Sequence, residues 1–488
     1  MSIAPPSPDS LSVRTSPAVP TTPTIPTSPD VSASLDASAS LAVSSSLAVS
    51  SSLARSVAGP DGTTAPGGTR GFEFDVAIVG LGYVGLPTAL AYHHSGTSVI
   101  GLDVSQRRLE TIRSRGADLL DDDRVRLESA FLADDFVLTD DPSMLARAAA
   151  VIVCVPTPVD EYLVPDLAIL RGAAATVVEH AVPGQLLMLT STTYVGCTDD
   201  LLVRPLTERG LLPGTDVFVA FSPERIDPGN AAVAHEDVPR VLGAATPACA
   251  VIADEMLGRY ARVHRVPSLA AAEMTKLLEN TFRAVNIALA NEFSDICRTM
   301  GIDVADVVDA AATKPYGFMA FMPGPGVGGH CIPCDPHYLL WQLKAERQAA
   351  PMITQAMTEI AARPGRVVDR TREVLSDAGR GLRGARVLVV GIAYKRDVAD
   401  LRESPALEVL QGLIAAGAEV GFADHRFDSV RLHDGTVLDD VVDEAAFGAD
   451  VVLLHTRHSD ADLSWITGEQ LVIDTTYRAA DLTGRILL

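Results

Sequence analysis

His330, Cys331, Cys334 and His337 fall within the stretch GPGVGGHCIPCDPH, residues 324–337, and their spacing allows three different chemistries. Read as metal ligands, they form a Cys2His2 set for zinc. That set is compressed well below the usual separation between ligand pairs. Cys331-Ile332-Pro333-Cys334 also has the spacing of a thiol–disulfide redox pair. Such a pair is expected at the start of a helix that follows a strand, whereas here a Pro-Gly run precedes it and Asp335-Pro336 follows. In the third chemistry, a glycine-rich loop lies closely against a ligand and delivers one reactive cysteine at its end.

A cofactor-binding end stands far upstream. Gly80-Leu81-Gly82-Tyr83-Val84-Gly85 fits G-x-G-x-x-G, directly after the apolar run Val76 to Val79 and before a helical composition over Leu86 to Tyr92. The glycines permit a tight turn and let backbone N–H groups approach a pyrophosphate at a helix N-terminus. Asp103 lies 21 residues beyond Gly82, at the end of the next apolar run. A carboxylate there accepts hydrogen bonds from a ribose and repels a 2′-phosphate, which favours NAD over NADP. Arg107 and Arg108 stand close enough to reach the adenosine. Two further apolar runs end in polar residues, Thr157 in VPTP and Ser191-Thr192-Thr193, where a doubly wound sheet opens its ligand crevice. Threonine is equally a good strand residue.

Lys276 and Asn280 are four apart and so share one face of a helix, with Glu273 three residues before the lysine. The plain alternative is a solvent-facing polar stripe. Met274, Leu277, Leu278 and Phe282 make this helix apolar around much of its circumference, which favours a partly buried lysine able to act as base or electrostatic stabiliser.

These groups need a scaffold. Strand-length apolar runs at 76–79, 98–102, 150–155, 186–190, 217–221, 386–390, 418–422, 450–454 and 471–473 alternate with helical stretches, the pattern of parallel sheets with crossover helices. Residues 268–300 contain no glycine or proline and form the longest helix candidate. The expected fold is α/β, with two Rossmann-like doubly wound parallel-sheet domains joined by a long central helix. The expected boundaries are a Ser/Ala/Pro-rich tail over 1–71, an NAD-binding domain over 72–266, a central helical region over 267–370 and a C-terminal α/β domain over 371–488. The tail has too few bulky apolar residues to offset the entropy of ordering and is expected to be disordered.

With 488 residues the chain exceeds one ordinary core. Its six cysteines form no dense disulfide framework, as befits a reducing cytoplasm. No apolar run reaches the ~18 residues of a membrane span, and the start lacks a basic region followed by a hydrophobic core. A net charge of −23 argues against a nucleic-acid partner, although a few cations and helix N-termini can still hold a small anion.

The motifs GLGYVGLPTA, VPTP, STTYVGCT, SPERIDPGN, EMTKLLENTFRAVNIALANE, GPGVGGHCIPCDPHYL and GIAYKRDVADLRESPA occur in that order between residues 73 and 488. Together they resemble the nucleotide-sugar dehydrogenase family, UDP-glucose and GDP-mannose dehydrogenases included. The resemblance implies NAD as cofactor, no metal, a homodimer or higher homo-oligomer, and oxidation of a UDP-sugar CH2OH to a carboxylate in two hydride transfers. Matched by motif, it implies Cys331 as nucleophile, Lys276, Asn280 and Asp335 around the reacting carbon, Thr192 holding a water, and Glu224 of SPER in thioester hydrolysis. It also implies that Glu224, Arg225, Lys276, Asn280, Arg283, Gly326, Gly328, Gly329 and Lys395 contact the sugar nucleotide. For the cofactor it implies Gly80, Gly82, Tyr83, Val84, Gly85, Asp103, Arg108, Thr157, Thr192 and Arg402. Lys395 and Arg402 would help the second domain close the site.

GVGGHCIPCDPHYL is most similar to the branch acting on UDP-N-acetylhexosamines. Its Cys-Ile-Pro followed by Asp-Pro-His-Tyr implies UDP-N-acetylglucosamine, with UDP-N-acetylmannosamine and UDP-glucose as alternatives. Two departures stand out. Cys197 replaces a common threonine, and EIAARPGRVV, 359–368, lacks an asparagine often found there. Outside this family, a single-oxidation β-hydroxyacid-type dehydrogenase would share the cofactor fold without needing Cys331. A redox-gated binding protein would instead use Cys331 and Cys334 together.

Overall fold

The computed structural model describes residues 71–225, 237–329 and 331–488. The expected disordered tail and His330 lie outside the described residues, as does the whole of IDPGN, 226–230, after SPER.

The strands β1 (Phe74–Val79), β2 (Val99–Leu102), β3 (Phe136–Thr139), β4 (Ala148–Val153), β5 (Leu186–Leu189), β6 (Phe218–Phe221), β7 (Arg240–Ala244) and β8 (Val263–Arg265) form one eight-stranded sheet. Their order is β3-β2-β1-β4-β5-β6-β7-β8. The central strands are covered on both faces, which is why they read as continuous apolar runs rather than alternating ones. The order reverses between β1 and β4, and a doubly wound sheet opens a crevice at the C-terminal ends of its strands there. Gly80 follows β1, Thr157 follows β4, Thr192 follows β5 and Glu224 follows β6. One topological rule thus gathers four of the candidate residues on the same edge.

The sheet is not wholly parallel, because β6 and β7 run antiparallel with Ala220 opposite Ala244. This return brings the start of β7 beside the end of β6, where Arg240 meets Glu224. Strands β3, β7 and β8 are absent from the run pattern read in the sequence.

A second sheet comprises β9 (Arg386–Val390), β10 (Glu419–Ala423), β13 (Val451–Leu454), β14 (Leu471–Asp474) and β15 (Ile486–Leu487), in order β10-β9-β13-β14-β15, all parallel. A small hairpin, β11 (Ser429–Arg431) with β12 (Val437–Asp439), lies outside it.

The long helix spans Leu269–Met300. The Ser268 side chain accepts from the Ala271 N–H at 3.1 Å, capping its start, and Gly301 at φ +69° ends it in the left-handed conformation. Its apolar residues divide between two sides. Leu277 and Ala284 are buried, while Met274, Leu278, Phe282, Leu289, Phe293 and Met300 are exposed. The exposed set recurs at helical spacing along one outward stripe. Two further helices, Asp335–Ala345 and Pro351–Asp377, pack on it. Among the described residues no helix is long and apolar enough to cross a membrane.

Candidate active site

The turn after β1 has the form a dinucleotide needs. Gly80 has φ +90°, and a Cβ there would lie 2.9 Å from the Cys154 carbonyl. A Cβ on Gly85 would overlap the Gly80 carbonyl outright. Above Gly82 nothing lies within 4 Å, which leaves its backbone open to a phosphate. The helix Gly85–His94 begins with no side-chain cap and no acidic residue in its first turn, so its positive end is not neutralised locally. Asp103 accepts from the Leu81 N–H at 2.9 Å, and Arg108 Nε donates to the Leu81 carbonyl at 2.7 Å. The residues present therefore fit NAD. The Arg402 guanidinium, from the second sheet's side, stacks 4.1 Å above the Tyr83 ring of this turn.

Cys331 is the one exposed cysteine among the described residues. Solvent reaches it, yet protein crowds it, and that burial pushes its thiol up. The Asp335 carboxylate adds to the rise, and Lys276, Arg402 and Arg283 oppose it. Asp335 itself is 1% exposed and accepts from Thr192 Oγ1 at 3.2 Å and from the Asn280 amide. Burial raises its carboxyl to about 6, against the pull of Lys276, Asn280 and Thr192. Residues separated by more than a hundred positions in sequence thus converge beside the exposed thiol.

Lys276 is 8% exposed, and its Nζ donates to the Glu224 carbonyl at 2.7 Å. It is therefore no part of a solvent stripe. Glu273 does not join it. Its carboxylate turns the other way and accepts from the N–H groups of Gly196 and Thr198 and from Thr198 Oγ1, fixing the turn after β5. The Glu224 carboxylate is gripped by Arg240, with one contact at 2.7 Å, in a pair that is almost wholly buried. SPER is consequently a buried anchor rather than an ordinary charged loop. Arg225 is committed to Glu279 of the long helix, with its Nη2 at 2.6 Å. Arg240 has no counterpart among the residues singled out from sequence; an arginine leading an apolar strand was the one available signal.

Gly326 lines a cavity of about 380 Å³, together with Tyr394, Lys395, Arg396, Arg457 and Arg478 from the second sheet's side. Gly328 and Gly329 press against that side. Added Cβ atoms there would lie 2.6 Å from the Tyr394 Cβ and 2.8 Å from its ring. A Cβ on Gly326 would likewise lie 2.6 Å from the Pro405 Cβ, so packing requires the absence of a side chain at all three positions. Cys334 is the N-cap residue of the Asp335–Ala345 helix, with Pro336 in its first turn. A Cys-x-x-Cys at a helix start does exist here, contrary to the sequence-based expectation. Cys334 is nevertheless buried, and burial pushes its thiol up to about 12. Burial likewise pushes Cys197 up to about 12. Among the described residues no group of three or more His, Cys, Asp or Glu is arranged to hold a metal ion.

Asp335→Asn is expected to raise stability while removing function. The folded state holds the Asp335 proton more tightly than the unfolded chain does, so stability falls as pH rises through about 6 and the cost is full above it. Asparagine keeps an acceptor for Asn280 and Thr192 without the charge. At about pH 8 the gain should be about 1–3 kcal/mol, shrinking towards about pH 4, as read by melting curves at both pH values. The same change removes an anion beside Cys331, so the midpoint for iodoacetamide alkylation of that thiol should move to lower pH.

Comparison with known proteins agrees with this arrangement. Residues 74–261 match the NAD binding domain of the UDP-glucose/GDP-mannose dehydrogenase family, 270–360 its central domain and 388–479 its UDP binding domain. The chain is 34% identical to a UDP-N-acetyl-D-glucosamine 6-dehydrogenase of Pseudomonas aeruginosa, over 72% of this chain and 83% of that one. It is 33% identical to an NDP-N-acetyl-D-galactosaminuronic acid dehydrogenase of Ralstonia solanacearum, over 71% and 82%. A solved UDP-D-ManNAc dehydrogenase from Pyrococcus horikoshii superposes with a TM-score of 0.77 at 30% identity, covering 85% of this chain and 98% of that one. The protein belongs to the UDP-glucose/GDP-mannose dehydrogenase family, the NAD-dependent nucleotide-sugar 6-dehydrogenases.

Proposed function

We propose that this enzyme oxidises the C6 hydroxymethyl group of UDP-N-acetylglucosamine to the uronic acid through a covalent Cys331 adduct. The observation that carries the proposal is the exposed Cys331 thiol, set among Lys276, Asp335 and Arg402 on a loop whose residues 322–326 line a cavity rich in cations. The choice of sugar is supported by the loop GVGGHCIPCDPHYL and by the 34% identical glucosamine relative.

NAD, when bound at the Gly80–Gly85 turn, supplies the acceptor for each of the two oxidations. The C6 hydroxyl gives its proton to Lys276 in its neutral amine form, which leaves the ammonium, or to a water ordered by Asp335. Cys331 adds to the aldehyde as a thiolate, and Lys276 and Asn280 donate to the oxyanion of the thiohemiacetal. After the second oxidation, a water placed by Thr192 and Glu224 attacks the thioester carbon, releasing the acid and returning the thiol. The Arg240 clamp keeps the Glu224 carboxylate oriented for this step. Covalent retention stops the aldehyde from escaping between oxidations.

Residues 72–266 serve the cofactor, 267–370 the chemistry and 371–488 the nucleotide. Lys395, Arg396, Arg457 and Arg478 suit a pyrophosphate in the adjoining cavity. Six free cysteines suit the cytoplasm. The exposed apolar stripe on the long helix suits a second copy of the chain. NADH production across UDP-N-acetylglucosamine, UDP-N-acetylmannosamine, UDP-glucose, UDP-galactose and GDP-mannose tests the reading. Two NADH per sugar with the first as best substrate is expected; one NADH per sugar, or a clear preference for another, overturns it.

A further inference from the structure

Arg363 takes part in none of these steps, yet it is 0% exposed and heads the largest wholly buried side chains among the described residues. It sits midway along the helix Pro351–Asp377. Its Nε donates to the Gly324 carbonyl at 3.0 Å, its Nη1 to Asp295 of the long helix at 2.8 Å, and its Nη2 to Tyr477 Oη at 3.5 Å. Tyr477, just past β14, also bonds to Ser294 and donates to the Leu488 carbonyl at 3.0 Å. One guanidinium therefore joins two helices, a loop and the second sheet.

The loop end is what gives this junction a consequence. Gly324 lines the cationic cavity, and Cys331 lies seven residues further along the same loop. Gly324 is held from both sides, since its N–H donates to Asn291 Oδ1 at 2.9 Å while Arg363 holds its carbonyl. Near the other end, the Gly329 N–H donates to the Arg402 carbonyl at 3.0 Å. The segment between cavity wall and thiol is thus pinned at both ends. A buried cation is costly to desolvate and is often replaceable by an apolar side chain without loss of stability, so fold stability alone gives little reason for an arginine here. The planar fork can reach three partners at fixed angles, which a lysine cannot.

We infer that Arg363 is a positioning residue that sets the distance between the nucleotide-holding wall and the Cys331 nucleophile. The inference rests on the proposed roles of that cavity and of Cys331. It calls for Arg363→Met in the full-length enzyme, with kcat and the dissociation constants for UDP and NAD measured separately. Misplacing reacting atoms by an ångström costs up to about 100-fold, so kcat should fall by about 10- to 100-fold while UDP and NAD bind within about threefold of wild type. Arg363→Lys should show the same loss, because it keeps a charge for Asp295 but not the fork. If Arg363→Met does not fold, Asn291→Ser, which frees the other side of Gly324, carries the test and should lower kcat in the same way. A folded variant with wild-type kcat, or one whose activity and UDP affinity fall together, overturns the inference. Failure of the Cys331 reading looks different: Cys331→Ser would still form acid, whatever Arg363 does.

Discussion

Cys331→Ser is expected to lower acid formation by at least about 10³-fold, and any residual turnover should yield at most one NADH per sugar instead of two. A serine hydroxyl is a far weaker nucleophile than a thiolate near neutral pH, and the neighbouring Asp335 carboxylate disfavours a second anion. The first oxidation needs no covalent bond, so the expected defect is one of stoichiometry as well as rate. Counting NADH against sugar consumed, with mass spectrometry of the products, separates the two. Cys334→Ser is the companion measurement. Cys334 is 4% exposed, makes no side-chain cap for its helix and has a thiol pushed up to about 12, so its variant should retain most activity. Acid formation at two NADH per sugar by Cys331→Ser would remove the covalent route. Equal loss in both variants would instead make the pair act as a disulfide.

The features legible in the sequence are those whose physics is local. The strand, glycine turn and Asp103 needed only a run of β-branched residues and a spacing, and the long helix needed only 32 residues free of breakers. Lys276 lies on an inward face as its apolar surroundings suggest, although three of the four apolar neighbours that favour this reading, Met274, Leu278 and Phe282, point outward. What escaped depends on partners distant in the chain. Arg240 and Arg363 look like surface cations until Glu224 and Asp295 are brought to them. Gly328 looks like a ligand contact until Tyr394 is packed against it. The helix start after Cys334 was misjudged for a different reason. Pro336 reads as a barrier in the sequence, but proline is favoured in a first helical turn, where its missing N–H has no partner to lose.

Lys276→Ala is expected to lower kcat by about 10²- to 10³-fold with NAD affinity unchanged, because one buried cation serves three partners at once. Its Nζ holds the Glu224 carbonyl at 2.7 Å, opposes the rise of the Asp335 carboxyl and lowers the Cys331 thiol. Removing it strands an acceptor and leaves a buried carboxylate without its cation, so stability should fall by about 3 kcal/mol or more at neutral pH. The sign of the thiol response is the more decisive reading. Without Lys276 the midpoint for iodoacetamide alkylation of Cys331 should move to higher pH, opposite to the shift expected for Asp335→Asn. Combining the two changes should return that midpoint towards wild type, since one cation and one anion have then been removed around the same sulfur. Turnover should not return with it, because neutralising the field restores neither the base nor the oxyanion donor. A double variant that recovered activity would show that Lys276 serves only to tune the thiol. Lys276→Arg offers a further separation: a guanidinium keeps the positive charge and so the alkylation midpoint, but it cannot accept the C6 proton or fit the ammonium's place against the Glu224 carbonyl.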